Sequence, residues 1–255
     1  SAIYGSDAMA GVVNIITRRN VQGVTANVYH GQFSEGDGAR TQYDVVAGWS
    51  NDRASISVAA EHVEEKGVWA KDRGFSAYTY TDRHPDDGWT TVGQWGRIVG
   101  FKGPGCSSAR GCSYSLDRGS QPGGPDSFHL SDNTPFTGDV SNSNEQMHVQ
   151  TPIKRDSLFV DARMDLNDQI RFNTQLAYNR RTTTRQIAGY PFQSGAAGIT
   201  PMSADSWFNP FGSHHGYERP SDVHWNRRTW EIPRVSTSEL TTWQGVAAFE
   251  GSFQF

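Results

Sequence analysis

The chain has 255 residues and a formal net charge of −4, with 35% hydrophobic, 20% charged and 12% aromatic residues. This balance excludes a disordered polyelectrolyte, and there is no basic excess of the kind that draws a protein to nucleic acid, so no nucleic-acid partner is expected. The mean hydropathy is −0.63 and no apolar run approaches the ~20 residues of a membrane-spanning helix, which says nothing against spanning strands, whose alternating pattern is weak segment by segment.

The first segment reads SAIYGSDAMAGVVNIITRR. Gly5 and Gly11 permit a tight turn and close backbone approach. Ala8 to Gly11 is small enough for a short helical turn, Val12, Ile15 and Ile16 are burial candidates, and Asn14 can hydrogen-bond locally before Arg18 and Arg19. There is no initiating Met, basic n-region or apolar h-region, so a signal peptide is expected upstream, or the chain is an excised piece.

From there, period-2 alternation is the main signal. Val24, Ala26 and Val28 alternate with Thr25, Asn27 and Tyr29; Tyr43, Val45, Ala47 and Trp49 alternate with Gln42, Asp44 and Ser50. After a turn at Asn51-Asp52-Arg53, Ile56, Val58 and Ala60 alternate with Ser55, Ser57 and Glu61. A long irregular segment, about 65–156, follows. Leu158, Val160, Ala162, Met164 and Leu166 then alternate with Asp161, Arg163 and Asp165, and Asn167-Asp168 is a hairpin signal. Ile170, Phe172, Thr174, Leu176 and Tyr178 oppose Gln169, Arg171, Asn173, Gln175, Asn179 and Arg181. A second irregular segment, about 182–239, precedes Trp243, Ala247, Phe249, Phe253 and Phe255, which alternate with Gln244, Glu250 and Gln254.

This pattern predicts about six antiparallel strands, each long enough for the roughly 9–11 tilted residues that cross a bilayer. Short turns alternate with loops too long for a compact soluble domain, the asymmetry of an outer-membrane barrel. Trp49, Phe253 and Phe255 fall near the short-turn ends and Tyr178 and Trp243 near the long-loop ends, where two aromatic girdles belong.

The opening segment resembles the end of the plug domain in TonB-dependent outer-membrane receptors, where a stretch of the form SALYGS-x-A-x-x-G-V-I-N-I-I-T-K/R precedes the first barrel strand. Ser1, Tyr4, Gly5, Ser6, Ala8, Gly11, Val12, Asn14, Ile15, Ile16, Thr17 and Arg18 match it. A weaker likeness is SADSWFNPFG at Ser203 to Gly212, similar to Asn-Pro-Phe-Gly stretches in extracellular loops of such receptors. The resemblance implies an all-β fold: residues 1–20 as the C-terminal end of a plug, and residues 21–255 as the N-terminal part of a transmembrane β-barrel of roughly 22 strands. It also implies a place in the outer membrane of a Gram-negative cell, contact with outer-membrane lipid, and energy-coupled uptake of a scarce ligand of siderophore, saccharide, peptide or cobalamin type. The TonB complex would act on a coupling box lying outside this stretch. No enzymatic activity, catalytic residue or cofactor is implied. Tyr4, Gly5, Ser6, Ala8, Gly11, Asn14 and Arg18 are expected to shape the plug and not to touch ligand.

Ligand contacts are expected from the loops. Trp89, Trp95 and Arg97 form one aromatic-basic group in sequence, and Tyr190, Trp207, Phe208 and Arg219 another; aromatics and Arg grip flat, polar or anionic ligands. Loop-to-loop packing is the competing account of both groups. His214-His215 and His84-Pro85-Asp86-Asp87 read as solvated loop residues, so no metal site is assigned, and Glu61, Glu64 and Glu65 near His62 read as strand-end polar residues. Cys106 and Cys112 are expected to close a small disulfide loop in an oxidising compartment, against the alternative of two free thiols; no second ligand pair supports zinc. The alternative fold is a soluble secreted β-sandwich, such as a carbohydrate-binding module using its Trp residues, which would bury its apolar stripes against a second sheet. An enzyme reading lacks a G-x-S-x-G elbow or comparable nucleophile.

Overall fold

The structure is a computed structural model, described over residues 21–78, 89–133, 139–194 and 200–251. The Ser1–Arg19 motif, His84 to Asp87, Phe253 and Phe255 lie outside the described residues. In chain order the strands are β1 (Gly23–Gly31), β2 (Arg40–Ser50), β3 (Ala54–Glu65), β4 (Val68–Trp69), β5 (Arg97–Phe101), β6 (Cys112–Leu116), β7 (Phe128–Leu130), β8 (His148–Gln150), β9 (Ile153–Asp165), β10 (Ile170–Ile187), β11 (Pro191–Gln193), β12 (His224–Arg228) and β13 (Arg234–Gly251). The described residues contain no α-helix, only short 3-10 turns.

The six long strands form one antiparallel sheet in the order β1-β2-β3-β9-β10-β13, which is open, with β1 and β13 at its edges. At one end it is closed by tight turns. Asn51 Oδ1 accepts the backbone N–H of Arg53 at 2.9 Å and Ala54 at 2.7 Å. Asn167 Oδ1 does the same for Gln169 at 2.9 Å and Ile170 at 2.8 Å. These Asx turns explain why Asn sits at each corner. All longer connections leave from the opposite end.

Cross-strand partners share a face of an antiparallel sheet, so the register sorts the side chains. One row across all six strands is Ala26, Val45, Ala60, Leu158, Tyr178 and Trp243. The adjacent row on the opposite face is Asn27, Asp44, Glu61, Ser157, Asn179 and Thr242. One face is therefore apolar and the other largely polar, interrupted by a row through Val46, Ala59, Phe159 and Ala177 and by single residues such as Val63, Leu240 and Val246. The apolar face is open among the described residues: Val28 is 72%, Phe249 70% and Trp243 76% exposed.

The described parts of residues 66–152 and 188–233 are not wholly irregular. The strands run further than alternation indicates, with β10 paired to β13 as far as Ile187 and Arg234. Beyond that, the two segments share a five-stranded sheet, β11-β12-β5-β6-β7. Its buried cluster is Ile98, Tyr114, Phe211 and Val223, with Phe101 stacked on Phe211 at 4.3 Å. The hydrophobic core of the described molecule thus sits in the connections, while the large sheet keeps its apolar side chains outside.

Candidate functional site

Three features of the large sheet and its connections have the makings of a functional surface. The first is the apolar face. It runs from Leu158 in β9 to Leu166 just past that strand's end, about nine residues or roughly 27 Å. Aromatic side chains gather at both margins. Phe172 meets Phe249 at 5.0 Å, with Trp49 also toward the tight turns. Tyr178 meets Trp243 at 4.5 Å, with Tyr43 also toward the long connections. Beyond the second margin the same face turns charged: His62 pairs with Asp156 at 2.6 Å, Lys66 and Lys154 with Glu64 at 2.7 and 3.4 Å, and Arg180 with Glu239 at 2.8 Å.

The second is the polar face, whose side chains are hydrogen-bonded across the strands. Asn27 donates to Asp44 at 2.7 Å, Arg155 to Glu61 at 2.9 Å, Asn179 to Ser157 at 2.8 Å and Gln175 to Asp161 at 2.7 Å. Near the tight turns this face is a charged hollow of about 500 Å³ lined by Arg53, Asp165, Arg171 and Glu250. A Cβ on Gly48 would fall 2.5 Å from Val21, so the chain enters β1 lying over the polar face.

The third is the five-stranded sheet. It regroups the sequence candidates. Trp95, Arg97 and Phe208 line one cavity of about 250 Å³ with Ile98, Phe128, Met202 and Trp225, at the seam of the two long segments. Trp89 is not with them; its ring lies 6.1 Å from Tyr78. Tyr190, Trp207, Phe208 and Arg219 do not form one group either. Tyr190 packs on Phe192 at 5.3 Å and under Arg234, Trp207 sits between His214 and His215, and Arg219 is exposed on the loop.

The SWFNPFG stretch explains part of this. Asn209 is fully buried; its Nδ2 donates to the Ser203 and Ser221 carbonyls at 3.0 and 2.9 Å, and its Oδ1 accepts from Phe211 N at 3.0 Å. That clip drives Phe211 into the core and leaves Trp207 and Phe208 exposed on the outer side. Arg97 is likewise structural: it is 7% exposed, bonded to Asn133, and burial pushes its guanidinium down against the favourable charge of Asp139.

His129 is a residue that sequence reading missed. Nδ1 faces Asp117 Oδ1 at 2.6 Å and Nε2 faces Asp139 Oδ1 at 2.8 Å. Carboxylates only accept, so the site favours the imidazolium, in which both ring nitrogens donate. Burial alone would lower its pKa; the hydrogen bonds and charges of the two carboxylates outweigh burial and raise it. Arg228 and Arg234, also missed, grip consecutive carbonyls: Arg228 Nη1 donates to Gly189 O at 2.8 Å and Arg234 Nε to Ala188 O at 2.8 Å. No local motif marks either arginine, because they converge only through the long connection. Cys106 and Cys112 are joined in a disulfide with Cα atoms 5.7 Å apart. Among the described residues, no three His, Cys, Asp or Glu side chains converge on a cation position.

Comparison of the chain with protein-family models, curated proteins and solved structures finds no match.

Proposed function

We propose that this chain is part of an outer-membrane β-barrel receptor of the TonB-dependent type, which takes up a scarce ligand through energy-coupled transport. The observation that carries the reading is the exposed apolar face, about nine residues tall and bounded by aromatics at both margins. Fully removing one large apolar side chain from water is worth roughly 1.5–3 kcal/mol. A handful left in water would consume a stability of about 5–15 kcal/mol. Lipid removes that cost, and the height fits the strand length that crosses a bilayer.

The remaining features take places in the same picture. The polar face lines the lumen, and the edges β1 and β13 meet further strands of a larger barrel, since an unpaired edge within lipid is not tolerated. Val21 over Gly48 brings the chain into β1 from the lumen side, as expected if the plug-like Ser1–Arg19 segment belongs inside the barrel. The long connections make the ligand-facing surface, and the reading assigns ligand capture there and no bond-making chemistry. Siderophore, saccharide, peptide and cobalamin ligands fit this reading equally. A soluble sandwich is less well supported, because no second sheet covers the apolar face among the described residues.

The test is fractionation of the full-length protein. It is expected to float with liposomes and to stay with outer membranes through an alkaline wash. Recovery as a monodisperse monomer in detergent-free buffer would refute the membrane reading.

A further inference from the structure

We infer that Arg228 and Arg234, with Tyr190 beside them, form a binding site for an oxyanion, the carboxylate or phosphate group of a soluble ligand. The inference deepens the reading above and rests on it for the identity of the loops as the ligand-facing side.

The two guanidiniums are held on consecutive peptide carbonyls. Arg228 Nη1 donates to the carbonyl of Gly189 and Arg234 Nε to that of Ala188. Arg228 Nε also reaches Val92 O at 3.3 Å. Gly189 is required at this spot: a Cβ there would fall 1.8 Å from Thr229 O, so its glycine lets the two chain segments meet closely enough to bring the arginines together. The Tyr190 ring lies 5.8 Å from the Arg234 guanidinium carbon and is half exposed.

What the pair lacks is a counter-charge. Other arginines of the chain, such as Arg155, Arg171 and Arg180, sit against carboxylates, whereas among the described residues Arg228 and Arg234 make no ion pair and spend their bonds on neutral carbonyls. Burial pushes the Arg228 guanidinium down, and the positive charge of Arg234 pushes it further. Two like charges, one of them partly withdrawn from water, repel, and each guanidinium keeps unspent N–H donors in a planar fork that matches an oxyanion. An anion bridging them removes the repulsion and satisfies the forks; chloride satisfies only the charge.

Position selects a soluble source over a lipid headgroup. Along β13, Arg234 lies nine residues from Trp243 at the aromatic margin, about 30 Å along the strand and roughly 20 Å in height at a tilt of about 45°, beyond the reach of phosphates at the membrane surface.

The experiment is calorimetric titration of the full-length protein in detergent micelles with inorganic phosphate and with citrate, against chloride at matched ionic strength. Phosphate and citrate are expected to bind saturably where chloride does not. Arg234→Gln, at an exposed position, is expected to weaken binding about tenfold or more, and Arg110→Gln, at an exposed position in another loop, to leave it near the native value. Arg228→Gln is expected to act like Arg234→Gln if it folds; its carbonyl contacts put folding at risk, and Arg234→Gln decides the matter alone. Equal heats for phosphate and chloride, or unchanged binding in Arg234→Gln, would overturn the site. Retention on phosphatidylglycerol vesicles over phosphatidylcholine vesicles, lost in Arg234→Gln, would overturn the assignment to a soluble ligand. The titration is independent of flotation with liposomes, so failure of the site and failure of the membrane reading give different results.

Discussion

Asn209 spends its whole side chain on backbone groups and has no exposure to water. Replacing it with Ala leaves the Ser221 carbonyl and the Phe211 N–H without this partner, at a cost of about 2 kcal/mol. We expect Asn209→Ala to make the long connections sensitive to protease while Trp207→Ala, at an exposed ring, leaves them resistant. His129 gives the same region a pH dependence. Its folded pKa is raised above the unfolded value, so its contribution is fully present below about pH 6.5 and is lost as pH rises through the folded value. Melting of the loop sheet is therefore expected to fall as pH is raised from about 6 toward alkaline conditions, by about 1 kcal/mol, and the fall should vanish in His129→Gln. A melting curve that stays flat in the native protein would remove the imidazolium clamp.

At the scale of elements, the six long strands were legible because each alternates apolar and polar side chains over its spanning part, as in Ile170 to Tyr178. The extension of β10 was not, because Arg181 to Gln186 is a polar run of Arg, Thr and Gln with no alternation; pairing with β13 holds it, not its own pattern. The loop sheet was hidden for a related reason. β5 and β6 are five residues each, their register shifts between Ile98 and Phe101, and Gly100 has a positive φ of 67°. Strands this short and bent leave no period to read. The candidate ligand residues were legible as types but not as groups: Trp95 and Phe208 share a cavity though over a hundred residues separate them, and Arg228 and Arg234 are joined by the carbonyls of Ala188 and Gly189, at the far start of the same connection. Alternation also yields a prediction. Leu176 is at mid-height of the apolar face and Gln175 points the other way. In bilayers, Leu176→Arg is expected to destabilise by roughly 2–4 kcal/mol and Gln175→Arg by under about 1 kcal/mol, measured by urea unfolding in liposomes. Equal penalties would contradict the two-faced sheet. Reducing the Cys106–Cys112 disulfide, by contrast, should loosen only the loop sheet, by about 2 kcal/mol for so small a ring.

For the whole molecule, the distribution of core and surface is inverted relative to a soluble domain. The buried cluster of Ile98, Tyr114, Phe211 and Val223 stabilises the connections, while the largest sheet exposes Trp243, Phe249 and Val28. A sheet with one apolar and one hydrogen-bonded polar face, tight turns at one end and a folded cap at the other suits a wall between lipid and water. Spin labels placed singly from Arg171 to Asn179 in the full-length protein, reconstituted in liposomes, probe that division of the two faces residue by residue. Labels at 172, 174, 176 and 178 are expected to collide with oxygen dissolved in lipid and those at 171, 173, 175, 177 and 179 with a water-soluble nickel reagent, in strict alternation. Equal access of the water-soluble reagent to both sets would contradict it.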